Sequence, residues 1–173
     1  TMVNSILDIQ LIRANKLKLN ITQVNIYSLV DQVRSLFEFQ CSQKKLDLTT
    51  QISPRVPSLI STDETRLIQI LVNLIGNSFK FTTKGSITLI VKVDPANPEK
   101  LIFMVKDTGI GIKDEDKINL FKLFGKLEDP LSVNTHGVGL GLFISNNLAS
   151  LLNDNHQGIQ VESEYNHGST FFF

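Results

Sequence analysis

The chain has 173 residues, 42% of them hydrophobic, enough for one substantial core and at most a small appendage. Lys+Arg and Asp+Glu both number 17, so no net charge draws it to nucleic acid or to a membrane surface. The single cysteine, Cys41, excludes an internal disulfide framework and a cysteine metal cluster and points to a reducing compartment. No apolar run reaches the roughly 20 residues of a membrane span, and no signal peptide or low-complexity tract is present.

Residues 1 to about 19 carry Val3, Leu7, Leu11 and Ala14 at helical spacing, with Ile6 beside them. The stripe predicts a helix that packs either on the main core or in a bundle with helices outside this chain. The chain opens mid-pattern at Thr1 and stops inside an apolar run at Phe173, as a piece of something longer would. After a linker at 20–25, Leu29, Val33, Leu36, Phe37 and Gln40 mark a helix over about 26–44. Leu46, Leu48, Thr50 and Ile52 alternate as a strand closed by Pro54 and Pro57. A helix follows over about 63–81, capped by Ser61 or Thr62, with Leu67, Leu71, Leu74, Ile75 and Ser78 on its core face.

Strands at 86–93 and 101–106 flank the loop Pro95-Ala96-Asn97-Pro98. A polar connector spans 113–136, with a short amphipathic piece at 118–124. A helix over about 140–152 carries Leu140, Ile144, Leu148 and Leu151 on one face, and strands at 159–163 and 169–173 end the chain. The expectation is an α/β two-layer sandwich: a mixed sheet of about five strands under three main helices, preceded by a lead-in helix.

Three segments carry chemistry. Gln69, Asn73, Asn77 and Lys80 fall in one narrow helical stripe, which is either a solvated face or two carboxamides and an ammonium turned towards phosphates. Magnesium keeps several waters and needs few protein oxygens, so one asparagine can hold it beside phosphates. Asp107 ends a strand and is followed at once by Gly109 and Gly111. Such a carboxylate either closes a turn or accepts the hydrogen bond of an adenine amino group, which guanine lacks. The run Gly137-Val138-Gly139-Leu140-Gly141-Leu142 opens into an apolar helix, placing backbone N–H groups at a helix N-terminus suited to an anion. It is neither the G-x-G-x-x-G fingerprint nor a P-loop, because no third glycine and no Gly-Lys-Ser/Thr follows. His136, His156 and His167 share no metal-ligand spacing.

Taken together, Asn73-x-x-x-Asn77, Asp107-x-Gly109-x-Gly111, Phe121-x-x-Phe124, Gly137-x-Gly139-x-Gly141 and Gly168-Ser169-Thr170 resemble the ATP-binding catalytic domain of sensor histidine kinases. That domain belongs to the wider superfamily of gyrase, Hsp90 and MutL. The likeness covers about residues 25–173. Residues 1–19 resemble the end of a dimerisation and phosphoacceptor helix, with Ile6-Leu7-Asp8 and Lys16-Leu17 typical of the junction.

The resemblance implies that Asn77 holds Mg²⁺, that Asn73 supports it or the phosphates, that Lys80 meets phosphate and that Phe81 packs on adenine. It makes Asp107 the adenine acceptor, with Gly109, Gly111 and Ile112 shaping the base pocket. Gly137, Val138, Gly139, Leu140 and Gly141 would line the phosphates, Thr170 would support the adenine end, and residues 122–136 would form a lid. The implied reaction is transfer of the ATP γ-phosphoryl to a histidine on a separate acceptor domain. A response-regulator receiver would be the onward partner, within a homodimeric parent working on the cytoplasmic side, membrane-anchored or not.

Two departures stand out. No histidine lies in the N-terminal helix, and no arginine stands near the glycine run, where Lys122, Lys126 or His136 would have to replace it. Two other functions share these motifs: an ATPase of the Hsp90 and gyrase branch, and a degenerate nucleotide-binding scaffold. The ATPase branch needs a carboxylate at the position of Asn73, since a carboxamide is no effective general base. Asp63 and Glu64 stand about ten residues away, roughly 15 Å along the helix, too far to replace it.

Overall fold

The computed structural model describes residues 2–122 and 139–173, with side chains from residue 6 onward. In chain order these form α1 (Met2–Arg13), β1 (Thr22–Asn25), α2 (Ile26–Lys44), β2 (Leu46–Ile52), β3 (Leu59–Thr62) and α3 (Glu64–Phe81). There follow β4 (Gly85–Val93), β5 (Leu101–Asp107), the single turn α4 (Asp114–Lys117), α5 (Gly141–Leu152), β6 (Gln160–Glu164) and β7 (Gly168–Phe172).

Five strands make the main sheet in the order β2-β4-β5-β7-β6, with β2 parallel to β4 and every other pair antiparallel. Alternation along the strands decides which face meets the helices. Ile87, Leu89, Val91, Phe103, Val105 and Phe171 are all buried, and the register sets Leu89, Val105 and Phe171 in one row. One row nearer the strand ends, that same face turns polar: Ile87 is followed across the sheet by Asp107, Ser169 and Ser163. The candidate site lies on this polar margin of an apolar face.

Helix α3 covers the centre of the sheet, with Leu67, Ile70, Leu71, Leu74, Ile75 and Ser78 buried, as the sequence pattern predicts. Its cap is Asp63 rather than Ser61 or Thr62, with the carboxylate accepting from Arg66 N at 3.0 Å. The reason is that Ser61 and Thr62 are engaged in β3, paired with Gln23 and Thr22 of β1. That two-stranded sheet takes up most of the stretch 20–25, so it is not a linker, and the Asn20 amide also donates to Asp63 Oδ2 at 2.8 Å. On α2, Leu36 is 55% exposed rather than buried, while the Phe37 ring lies 3.9 Å from the space beside Gly76 of α3. On α5, Leu148 is buried as expected and Leu151 is exposed.

Two expectations fail in detail. The helical turn of the connector sits at Asp114–Lys117, ahead of the predicted 118–124, and Ile118 is exposed while Leu120 is buried. Helix α1 ends at Arg13 instead of near residue 19, because Asn15 turns left-handed and the amides of Asn15 and Lys16 return to the carbonyls of Ile12 and Leu11. Of the two placements expected for the α1 stripe, packing on this chain's core is not taken by Leu7 and Leu11, and a different face turns inward. Asp8 is buried, and Ile9 and Ile12 rest on the core, while Ile6, Leu7 and Leu11 are 47%, 52% and 40% exposed. Asp8 explains the rotation: its two oxygens accept from Arg66 Nη1 at 2.9 Å and Gln69 Nε2 at 2.8 Å on α3. Among the described residues, no helix is long and apolar enough to cross a membrane.

Candidate functional site

Asp107 is the last residue of β5, and its side chain is buried under the C-terminal half of α3. Oδ1 accepts the amides of Gly109 at 2.9 Å and Ser169 at 3.2 Å, while Oδ2 accepts from Ser78 Oγ at 2.9 Å. Burial pushes this carboxyl above the usual carboxylate range, and the same three donors pull it back. An ionised carboxylate offers about four acceptor positions, so three internal donors leave one for a ligand, on Oδ2.

The loop after Asp107 is shaped by its glycines. Gly111 has a φ of +66°, and a Cβ there would meet Glu164 O at 2.0 Å, so only glycine lets this loop lie against the β6–β7 turn. Ile112, buried next to it, donates its amide to Ser163 Oγ at 2.8 Å. Ser163 Oγ in turn pairs with Ser169 Oγ at 3.0 Å. At Gly109 a Cβ would stand 2.5 Å from Phe81 O, 2.9 Å from Thr82 Oγ1 and 3.0 Å from Asp107 Oδ1, so the loop is pressed on the end of α3. The Ile110 amide completes that contact with Phe81 O at 3.2 Å.

Thr170 does not belong to this cluster. Its register partner is Lys106, whereas Asp107 faces Ser169, and successive strand residues point to opposite faces of the sheet. Ser169 therefore stands where Thr170 was expected. Ser78, Ser163 and Ser169 were the residues that motif reasoning missed as site members. A signal existed for Ser78, a polar residue inside the apolar stripe of α3.

The second half of the site is the α3–α5 contact. Asn73 Nδ2 donates to Ser145 Oγ at 3.0 Å, and a Cβ on Gly141 would lie only 2.2 Å from Asn73 Oδ1. Asn73 is thus seated against the N-terminus of α5, with Asn77 one turn further along α3. Leu140, buried, occupies the cap position of α5 and supplies no side-chain acceptor to the first-turn amides, and Gly139 has a φ of +71°. Those amides and the positive end of the helix dipole suit an anion. Gln69, expected on the same stripe, is drawn away to Asp8 and Arg66. Lys80 is exposed, its Nζ 5.0 Å from the centre of the half-buried Phe81 ring. Gly137, Val138, His136, Phe124, Lys126 and all of the expected lid except Lys122 lie outside the described residues. A separate open cleft of about 400 Å³, lined by Glu38, Cys41, Lys45 and Asp47 among others, lies at the β2 edge and offers neither a glycine run nor a helix N-terminus.

A buried acceptor at one end, two carboxamides along α3 and an uncapped helix N-terminus at the other have the chemistry to receive a purine nucleotide by base and phosphates. The family model described as histidine kinase-, DNA gyrase B- and HSP90-like ATPase matches residues 62–173. The chain belongs to this family. Within it, the similar proteins are histidine kinases. The hybrid signal transduction histidine kinase L of Dictyostelium discoideum is 40% identical over 99% of this chain and 10% of its own length. The signal transduction histidine-protein kinase BarA of Escherichia coli K12 is 35% identical over 99% of this chain and 19% of its own. The chain therefore spans a tenth to a fifth of the length of these two relatives. Among solved structures, full-length ShkA in complex with AMPPNP is 29% identical with a TM-score of 0.83, over 99% of this chain and 34% of that one. The nucleotide-free catalytic domain of ThkA is 25% identical with a TM-score of 0.71, over 90% of this chain and 94% of that one.

Proposed function

We propose that this domain of the family binds ATP with Mg²⁺ and delivers the γ-phosphoryl to a histidine on a two-helix acceptor domain. The observation that carries the reading is the placement of Asp107 and the α5 N-terminus at opposite ends of the Asn73–Asn77 stripe. Asp107 Oδ2 has the acceptor position for the 6-amino group, and the α5 amides have the polarity for phosphate. Among the described residues no three His, Cys, Asp or Glu gather, so a divalent ion here would be held by the Asn77 carboxamide oxygen and by the phosphates themselves. That donor set suits Mg²⁺, which supplies charge neutralisation at the phosphates when bound.

Phosphoryl transfer of this kind demands positioning and electrostatic stabilisation rather than covalent chemistry from the protein. Asn73 fits that demand and not hydrolysis. Its carboxamide is hydrogen-bonded to Ser145 and has no basic electron pair with which to activate water. An acceptor histidine must then come from elsewhere, and α1 would be the tail of the helix pair that carries it. The exposed Ile6, Leu7 and Leu11 supply an apolar seam for the other helices of such a bundle, in a homodimer facing the cytoplasm. The hybrid character of the Dictyostelium discoideum relative named above supports a receiver domain as the onward partner.

The test follows radiolabelled γ-phosphate through single turnovers. The isolated chain should release it slowly and carry no labelled histidine. Addition of the separately produced acceptor domain should yield phosphohistidine, which Asn77→Ala abolishes. Fast hydrolysis that disappears in Asn73→Ala would instead identify an ATPase.

A further inference from the structure

Strand β2 forms one edge of the main sheet, with β4 on one side and no strand on the other. The Ser53 amide donates to Val91 O at 2.9 Å, and Ile52 is the register partner of Val91. In a parallel pair this turns the main chain of residues 47, 49, 51 and 53 towards β4 and that of the alternate residues away from it. Leu46, Leu48, Thr50 and Ile52 therefore direct their N–H and C=O groups out of the sheet. None of those groups has a hydrogen-bond partner among the described residues.

A bare edge templates pairing with another chain, and proteins normally blunt it with charge, proline or a bulge. The opposite edge follows that rule, because β6 has only five residues and exposes Glu162 and Glu164. Strand β2 does not. It runs for seven residues, carries neither proline nor lysine, and keeps an unbroken register with β4 from Leu46 to Ile52. Its one charged side chain, Asp47, is exposed and enters no ion pair among the described residues.

The bare edge opens onto the cleft of about 400 Å³, which has Cys41 and Ser42 of α2 on one side and Leu46, Asp47 and Leu48 of β2 on the other. A groove between a helix and an unpaired strand edge suits an extended peptide that adds as a further strand. Main-chain bonds then give affinity and alternate side chains give specificity.

The geometry points to β2 as a docking edge for an extended segment of a partner polypeptide, which continues the five-stranded sheet as a sixth strand. The partner's side chains on the helix side are small and apolar, to lie beside Leu46 and Leu48. Those on the outer face are polar, in line with Thr49 and Gln51, with a cation opposite Asp47. A second copy of this chain is less well matched. Two β2 strands paired antiparallel about Thr49 would set Asp47 opposite Gln51, so the free carboxylate would gain no counter-charge.

The test is amide NMR with a capped hexapeptide of alternating valine and threonine in which one threonine is replaced by lysine. Saturable shifts and slowed exchange are expected at the amides of Leu48, Thr50 and Ile52, with those of Gly109 and Ser169 unmoved. Methylating the peptide's valine nitrogens or its polar-residue nitrogens should have opposite outcomes, because only alternate amides face β2. One pattern should weaken binding at least about tenfold and the other by less than about twofold. Asp47→Asn should weaken it about two- to fivefold. Thr50→Pro deletes a donor of the free edge without touching the β4 ladder and should weaken it at least about tenfold. If that variant does not fold, Ser42→Trp fills the groove from an exposed position and should do the same. ATP affinity should be equal in every variant, so failure here leaves the nucleotide site standing.

Equal effects of the two methylation patterns overturn strand addition. So does the absence of any saturable shift at millimolar peptide. Slowed exchange of the Leu48, Thr50 and Ile52 amides with rising protein concentration and no peptide would give the edge to a second copy and overturn the inference as well.

Discussion

Replacing Asp107 by asparagine separates recognition of the base from support of the fold. In the parent chain Oδ1 takes two amides, those of Gly109 and Ser169, and Oδ2 takes the Ser78 hydroxyl, leaving one acceptor position on Oδ2 for a ligand. An asparagine oriented with its oxygen at the Oδ1 position keeps both amides. Its Nδ2 then donates to Ser78 Oγ, which can reverse its role from donor to acceptor. All three internal bonds survive, and only the ligand-facing group changes, from acceptor to donor. The lost bond is one to a charged acceptor, about 1.5–3 kcal/mol, so ATP should bind roughly ten- to a hundred-fold more weakly. The new N–H faces the position of the guanine carbonyl oxygen, so GTP should gain while ATP loses. Calorimetry with both nucleotides, beside urea melts of both proteins, reads these effects. A folded Asp107→Asn protein with unchanged ATP affinity, or a parent chain that takes both purines equally, refutes the assignment.

The same residue sets a pH dependence. Burial raises the Asp107 pKa, so the folded protein holds its proton at a pH where the unfolded chain has released it. Stability should therefore fall as pH rises from the unfolded to the raised folded value and be flat above it, a slope missing in Asp107→Asn. ATP affinity should weaken as pH drops from neutral towards that raised value in the parent chain, with the asparagine variant as the control for titration of the ligand itself. Gly141→Ala places a methyl 2.2 Å from Asn73 Oδ1 and should lower stability by about 1–3 kcal/mol and weaken nucleotide binding, read by urea unfolding and calorimetry. Asp8→Ala removes the bonds to Arg66 and Gln69 and should speed amide exchange through α1 while leaving ATP affinity unchanged. Slow exchange in α1 of that variant would mean that Ile9 and Ile12 suffice to hold it.

Local patterning carried most of the fold. The stripe of α3 and the alternation of β4 and β5 are strong because each element buries one face, and burial writes periodicity into sequence. The short pair β1–β3 was illegible, since four-residue strands at the domain's edge bury little beyond Val24 and partly Ile60 and leave no alternation to read. The inward contact of helix α1 was illegible because it is fastened by a charge, Asp8, and a polar residue on the buried side adds nothing to an apolar stripe. At the site, Asp107, Gly109 and Gly111 were legible because close approach demands those residue types. The serines were not: Ser169 and Thr170 are chemically alike, and only strand register shows which one faces Asp107.

The central claim is that a nucleotide lies between the end of α3, the 107–112 loop and the start of α5. An ADP–Mg²⁺ titration followed by amide NMR tests it most directly. The amides of Gly109 and Ser169, which donate to Asp107, and that of Gly141 at the head of α5 should shift together and saturate with one binding constant. Shifts confined to the α2–β2 cleft around Cys41, Lys45 and Asp47, with Gly109 and Ser169 unmoved, would contradict it.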